Sequence, residues 1–415
     1  MLKAFFNVIN TPVRIKFEYL LVYLTLLFKL GFFFNENISA ITSFLLICLL
    51  LVYVLLYRIK VNLKAIILVL ITVLFVTITN LLKGFTDTIV YSHLLVNLFT
   101  SGLIVSCISY SKFSKYFSNI IYLVSFVSLI VYLLITLGLN IDKLFPVLTN
   151  SHGVSCHFLG LTVSSVFSTH NRIQGIFWEP GAFQVMIIIA MIIDNYSDIT
   201  NKKLLQRYLI YILAIIFTYS TTGYISLLLV CILFMLHRTK YSILPIVIFC
   251  LVLMFLIPFL QTSTDGFLYY SIFGKLEEVQ SNLMYGDDNV SETVYTRTGS
   301  IIYPLKLLKE SPIFGIGESG KDFIRIRYGQ TFFTCTFVNY FAYYGIVLGL
   351  VHIIGFLKLL RLKDKKYIEG FLLILTLILA TMSEALQFNV LLVCFCIYGY
   401  LLKDDLTVYR NRKSY

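Results

Sequence analysis

Long apolar runs recur from one end of this chain to the other, and they leave few folds open to it. ITSFLLICLLLVYVLLY, residues 41–57, contains no charged side chain. Comparable runs lie near residues 18–34, 38–57, 65–82, 89–110, 118–138, 180–194, 208–236, 241–260, 334–358, 367–386 and 388–402. A helix of about 20 apolar residues spans the hydrocarbon core of a bilayer, and it satisfies its own backbone polar groups there. Residues are 59% hydrophobic and 13% charged, where a soluble domain carries about 25% charged residues. The runs are continuous and lack the strict alternation of a membrane barrel. An all-α polytopic integral membrane protein is predicted.

Charge sets the threading. The formal net charge is +12, which in a soluble protein would suggest nucleic acid. Here the basic residues gather in short connectors: Arg58, Lys60 and Lys64; Lys112 and Lys115; Lys202, Lys203 and Arg207; Arg238 and Lys240; Arg361, Lys363, Lys365 and Lys366. Lys3, Arg14 and Lys16 precede the first run, and Lys403, Arg410, Arg412 and Lys413 follow the last. Placing all of them in the cytoplasm obeys the positive-inside rule and accounts for the basic balance without a nucleic-acid partner. The segment 208–236 has basic flanks on both sides, so it must cross an even number of times. Two short helices of roughly 14 residues, about 21 Å each, meeting at Ser220-Thr221-Thr222-Gly223, satisfy this. A single long tilted helix is the alternative. With two helices there, the chain makes about 12 crossings with both termini cytoplasmic, as one membrane domain over residues 1–415. No small-residue cleavage pattern follows the first run, which reads as an uncleaved span.

Two connectors break the short-loop pattern, and both fall outside: residues 139–179 and residues 261–333. Loops this long usually carry function. Within the second, SIIYPLKLLKE, residues 300–310, has apolar and basic faces that suit a short interfacial helix. Cys156 and Cys335 fall in or beside these loops, where an oxidising compartment would permit a disulfide; the other six cysteines lie in apolar runs. No CxxC pair or His–Cys cluster has metal-ligand spacing.

The densest chemistry is HNRIQGIFWEPGAF, residues 170–183, where the first external loop re-enters the bilayer. Pro180 suits the first helical position, which makes Glu179 the N-terminal cap, favoured by the helix dipole. Gly181 permits close backbone approach, and Trp178 suits a membrane interface. A well-anchored helix start, with Arg172 ion-paired to Glu179, explains these residues without any function. An active site at the membrane surface explains them equally well.

RIQGIFWEPGAF, Arg172 to Phe183, resembles the R-x-x-G-x-F-x-E-P-G signature of O-antigen and capsule polymerases of the Wzy type, within the O-antigen ligase/polymerase superfamily. TRTGSIIYPLKLLKESPIFGIG, Thr296 to Gly317, resembles that superfamily's second external loop, in which an arginine precedes P-x-x-G-x-G. FVNYFAYYGIVLGL, from Phe337, resembles the returning segment that ends in a Tyr-Gly pair. The resemblance implies glycosyl transfer outside a bacterial plasma (inner) membrane. Undecaprenyl-diphosphate-linked oligosaccharide units are joined and undecaprenyl diphosphate departs, so no nucleotide sugar, metal or other cofactor is required. Membrane lipid, a chain-length regulator and a flippase are the implied partners.

Departure of a diphosphate develops negative charge that fixed guanidinium groups stabilise. Arg172 and Arg297 match the motif arginines and are assigned, with Glu179, to catalysis. Arg325 and Arg327, with Trp178, Gly175 and Asn339, are assigned to substrate binding. Arg325 and Arg327 share one side if that segment is extended and splay apart if it is helical. Glu179 is the first candidate to orient or deprotonate the acceptor hydroxyl; His152, His157 and His170 share its loop. The related ligases carry a histidine beside the returning asparagine. Here Phe337-Val338 precedes Asn339, which favours polymerase over ligase and leaves the base unassigned. A ligase-type transferase is one alternative. A lipid-linked oligosaccharide flippase, suggested by Lys29 within a span and Glu384 near a span end, is the other.

Overall fold

The computed structural model describes residues 13–33, 39–84, 88–139, 141–150, 154–165, 172–238, 299–317, 320–328, 334–359 and 367–412. The helices are α1 (Val13–Leu30), α2 (Ser39–Tyr57), α3 (Leu63–Lys83), α4 (Thr88–Cys107) and α5 (Tyr110–Thr136). After the first long loop come α6 (Pro180–Asn195), α7 (Asn201–Ile216) and α8 (Thr221–Arg238). The remainder are α9 (Gly299–Leu308), α10 (Gly320–Tyr328), α11 (Thr336–Leu359), α12 (Tyr367–Ala380) and α13 (Val390–Arg412). By length and composition, α2, α3, Val90–Cys107 of α4, α5 and α11 can each cross a membrane; Pro180–Asn195, Thr222–His237, Ile368–Ala380 and Val390–Leu402 are shorter apolar helices. The protein is a multi-pass helical membrane protein. The span expected at 241–260 and the first part of the second long loop lie outside the described residues.

α1 and α5, like α7 and α13, run past their predicted limits, and for α1 and α5 one contact explains it. α5 starts at Tyr110 and takes in Lys112 and Lys115, while α1 takes in Arg14, Lys16 and Glu18. Glu18 is buried, and Lys112 meets its carboxylate at 2.8 Å. The hydroxyls of Tyr53 and Tyr116 donate to the same carboxylate. The charged ends therefore continue as helix because their charges close on each other.

α6 is the hub. Every residue in it except Gly181 is buried, as expected of a helix that is apolar on all sides. It packs against α5, α7, α8 and α12. At its far end Asp194 meets Arg207 at 2.7 Å and accepts from the hydroxyl of Tyr211 at 3.3 Å, and the Arg207 guanidinium lies 5.1 Å from the Tyr122 ring centroid. Arg207 thus serves a buried ion pair as well as the positive connector that contains it.

The segment 208–236 is two helices, as the parity of its basic flanks required. The break falls at Phe217–Ser220, slightly earlier than the polar cluster suggested. The Ser220 hydroxyl accepts from the Gly223 amide at 3.4 Å, so Thr221 to Gly223 form the first turn of α8 and leave the break upstream. Tyr219 takes φ +51° there.

The first long loop departs from the all-α expectation. It carries a 3-10 turn, Ile141–Leu144, and three antiparallel strands, β1 (Val147–Thr149), β2 (Ser155–Phe158) and β3 (Val163–Ser165), ordered β1-β2-β3. Cys156 pairs in register with Leu148 and with Ser165. Strands of three or four residues are too short for a period-2 pattern to show in sequence. The disulfide considered between Cys156 and Cys335 is absent: both thiols are free and buried. Burial pushes the Cys156 thiol up to about 11, so it is protonated at neutral pH.

Candidate active site

The motif loop is pinned at nearly every step. Ile173 N donates to Phe217 O at 3.0 Å, Val163 N donates to Gly175 O at 2.8 Å, and Phe32 N donates to Ile176 O at 2.9 Å. Gly31 and Phe177 form an isolated antiparallel bridge. The loop is thus tied to the α7–α8 break, to β3 and to the chain just past α1. Gly175 has φ +60°, and a Cβ there would lie 2.9 Å from Val124 Cγ1 and 3.1 Å from the Phe183 ring. Its side of the loop is packed against protein.

Arg172 is exposed at the chain end of this loop, and its guanidinium donates from Nε to Thr218 O at 2.8 Å and from Nη2 to Tyr219 O at 3.2 Å. It also lines a half-open pocket with Ser128, Tyr132, Thr162 and Ser164. Glu179 occupies the N-cap position of α6 with Pro180 following, as the sequence indicated, but its carboxylate makes no capping hydrogen bond and is exposed. The acid at the positive end of the hub helix therefore faces outward.

Trp178 is half-buried, and its indole N–H donates to Glu384 Oε2 at 3.2 Å. Glu384 lies in the non-helical break between α12 and α13. The Thr336 hydroxyl, at the start of α11, donates to Glu384 O at 2.7 Å and accepts from Leu386 N at 2.9 Å. One turn on, Asn339 is fully buried and donates from Nδ2 to Gln387 Oε1 at 3.2 Å. Asn389 in turn donates to Lys29 O at 3.1 Å. Lys29 is buried, with its ammonium donating to Ser43 and to Asn97 Oδ1. Trp178 and Asn339 are thereby brought to opposite sides of one polar break.

The second motif piece joins the same end of the bundle. The P-x-x-G-x-G turn, Pro312 to Gly317, docks on a kink in α11 at Gly345, whose φ and ψ are 78° and 176°. Ile316 N donates to Ala342 O at 2.9 Å, Gly317 N to Tyr343 O at 2.8 Å, and Ile346 N to Pro312 O at 2.8 Å. The turn also packs on α3, with Phe314 stacked on Phe75 at 5.6 Å between ring centroids. α9 covers residues 300–308 of the predicted interfacial helix and lies on α11. Arg325 and Arg327 sit on a helix, α10, and not in an extended segment; Arg325 is exposed. Arg297, His152 and His170 lie outside the described residues, and His157 is in β2 with Nδ1 3.0 Å from Phe145 O.

Glu384, Gln387 and Thr336 complete the junction, and none of them stood out as a site residue in sequence. The available signal was SEALQFN, residues 383–389, a polar interruption between two apolar runs. Among the described residues no three His, Cys, Asp or Glu side chains gather as metal ligands.

A multi-pass helical bundle with its loop motifs knotted together at one end is the class that this architecture defines. Within it, residues 208–344 match the family model described as O-Antigen ligase, which supports the O-antigen ligase/polymerase superfamily that the motifs resemble. The match covers roughly a third of the chain and ends at Tyr344, immediately before the Gly345 kink. No curated protein and no solved structure matches the chain.

Proposed function

We propose that this protein is a glycan polymerase. It transfers a growing oligosaccharide from undecaprenyl diphosphate to the next lipid-linked repeat unit, at the outer face of a bacterial plasma membrane, building O-antigen or capsular polysaccharide. The observation that carries this reading is the convergence of the R-x-x-G-x-F-x-E-P-G loop, the P-x-x-G-x-G turn and the Tyr-Gly kink on one end of the bundle. The buried ion pairs of Glu18 with Lys112 and of Asp194 with Arg207 occupy the opposite end.

In this reading the acceptor hydroxyl oxygen attacks the anomeric carbon, the bond from that carbon to the diphosphate oxygen breaks, and the electron pair leaves with the diphosphate. The energy is already in the glycosyl–diphosphate bond, so no nucleotide enters. Arg172 and Arg297 meet the charge developing on the leaving group, where guanidinium geometry matches phosphate oxygens. Glu179, exposed at the start of α6, orients or accepts the proton of the incoming hydroxyl. Arg325 and Arg327, both carried on α10, contact the glycan. Gly175, Trp178 and Asn339 serve substrate binding from behind, by fixing the loop and break that face it.

Phe337-Val338 before Asn339, in place of the histidine of related ligases, supports polymerase over ligase. The two are separated by the surface glycan of cells lacking the protein. A polymerase deletion leaves single repeat units attached to the final acceptor. Complete absence of repeat units from that acceptor would instead identify the ligase step.

A further inference from the structure

Four acidic side chains are buried among the described residues: Glu18, Asp194, Glu369 and Glu384. The first three sit at the basic end of the bundle, and each meets a basic group: Lys112 at 2.8 Å, Arg207 at 2.7 Å and His237 at 3.4 Å. Burying a carboxylate in this way calls for such a partner or for directed hydrogen bonds. Glu384, 3% exposed, is at the opposite end, and its carboxylate accepts from the indole N–H of Trp178 at 3.2 Å. Trp178 is the only tryptophan in the chain and directly precedes Glu179 and the first turn of α6.

The backbone under Glu384 is held unusually firmly for a break between helices. Its amide donates to Thr381 O at 3.3 Å, and its carbonyl is bridged through the Thr336 hydroxyl to the Leu386 amide. Phe388, four residues on, is buried with φ +56°, and its amide donates to the Tyr340 hydroxyl at 3.1 Å. A bulky residue in the left-handed region persists only where its surroundings enforce it. Glu384 therefore presents its carboxylate from a rigid base to a loop that carries the outward-facing Glu179.

We propose that Glu384 is a positioning residue. Through the indole N–H of Trp178 it fixes the motif loop and the start of α6, and so sets where Glu179 stands for the transfer step. The role rests on the glycosyl-transfer reading above. The contact itself can be tested without that reading, because one tryptophan makes its emission a report on one site. Excitation moves electron density from the pyrrole to the benzene part of indole, so a carboxylate at the nitrogen shifts emission to the red.

The experiment uses full-length protein in liposomes, assayed with lipid-linked repeat units and by Trp178 emission. Glu384→Gln keeps an oxygen acceptor but loses the charge: emission moves to the blue, and most of the rate lost in Glu384→Ala is restored. Glu384→Ala lowers kcat by about tenfold to a hundredfold, the scale of small misplacements in a catalytic geometry, with KM for the lipid-linked donor little changed. Trp178→Phe, which removes only the N–H donor and part of the ring, lowers kcat similarly. Adding Glu384→Ala to it brings no further loss, since both act through one contact. An additive double variant overturns the proposal. So does Glu384→Gln as slow as Glu384→Ala, which would place the charge in the chemistry itself. Transfer by the wild type with unmoved Glu384→Gln emission removes the contact and leaves the functional reading standing. A blue shift with no transfer by the wild type overturns the functional reading, and with it the role of the contact in transfer, while the contact remains.

Discussion

Cells whose only copy carries Arg172→Ala make no long-chain polysaccharide, while the protein still inserts at normal levels. Loss of a preorganised charge donor to a leaving group costs about 10²–10³ in rate, enough to empty the long end of a length distribution. Arg172→Lys recovers only part of it. Lysine supplies a point charge, whereas the guanidinium of Arg172 donates from two nitrogens to Thr218 O and Tyr219 O while still lining the pocket beside Ser128 and Ser164. Such a planar fork has no lysine equivalent. Arg297→Ala gives the same phenotype, because the proposed function assigns Arg297, which precedes P-x-x-G-x-G as in the motif it resembles, to the second phosphate contact. Gel analysis of surface polysaccharide checks all three variants, and wild-type chain lengths in either alanine variant contradict the assignment.

Gly345→Ala removes folded protein altogether. Its φ of 78° and ψ of 176° lie in a region that is essentially glycine's alone, at a backbone cost of about 1–3 kcal/mol for other residues. Steric overlap comes on top of this: a Cβ at Gly345 would lie 1.9 Å from Ile313 O and 2.3 Å from Ile313 C, both main-chain atoms that cannot swing aside. A Cβ at Gly315, across the same contact, would lie 2.5 Å from Tyr343 C. The P-x-x-G-x-G turn and the Tyr-Gly kink are glycine faces of one backbone-to-backbone contact. Gly84→Ala is the control. Gly84 also has positive φ, at +87°, but a Cβ there would meet nothing within 4 Å among the described residues, so only the backbone cost applies. Size-exclusion chromatography in detergent should show a monodisperse peak for Gly84→Ala and aggregate for Gly345→Ala. Equal peaks from both would show that the turn and kink do not interlock.

Much of this architecture was legible because membranes impose few solutions. Runs such as residues 41–57 could only be helices, and the basic flanks of 208–236 forced a pair where length alone suggested one. What stayed hidden was set by contacts distant in sequence. The extension of α5 back to Tyr110 depends on Lys112 finding Glu18, more than ninety positions earlier. The strands around Cys156 are too short to register as a pattern.

At the site, the importance of residues 172–181 was visible from glycine, proline and charge packed together, and Glu179-Pro180 does open α6. The partner of Trp178 was not visible. Glu384 read as a stray charge near the end of a span, and only the fold brings it to 3.2 Å from the indole nitrogen. Nor could the sequence decide between extended and helical spacing for Arg325 and Arg327, which α10 settles as helical.

Joining lipid-linked glycan units with the lipid diphosphate as leaving group is the proposed reaction. Purified protein in liposomes, supplied only with undecaprenyl-diphosphate-linked repeat units and a metal chelator, tests it most directly. The expected result is a ladder of products lengthening by one repeat unit, with one undecaprenyl diphosphate released per bond formed. Intact donor after prolonged incubation, or its mere movement from one leaflet to the other, would contradict it.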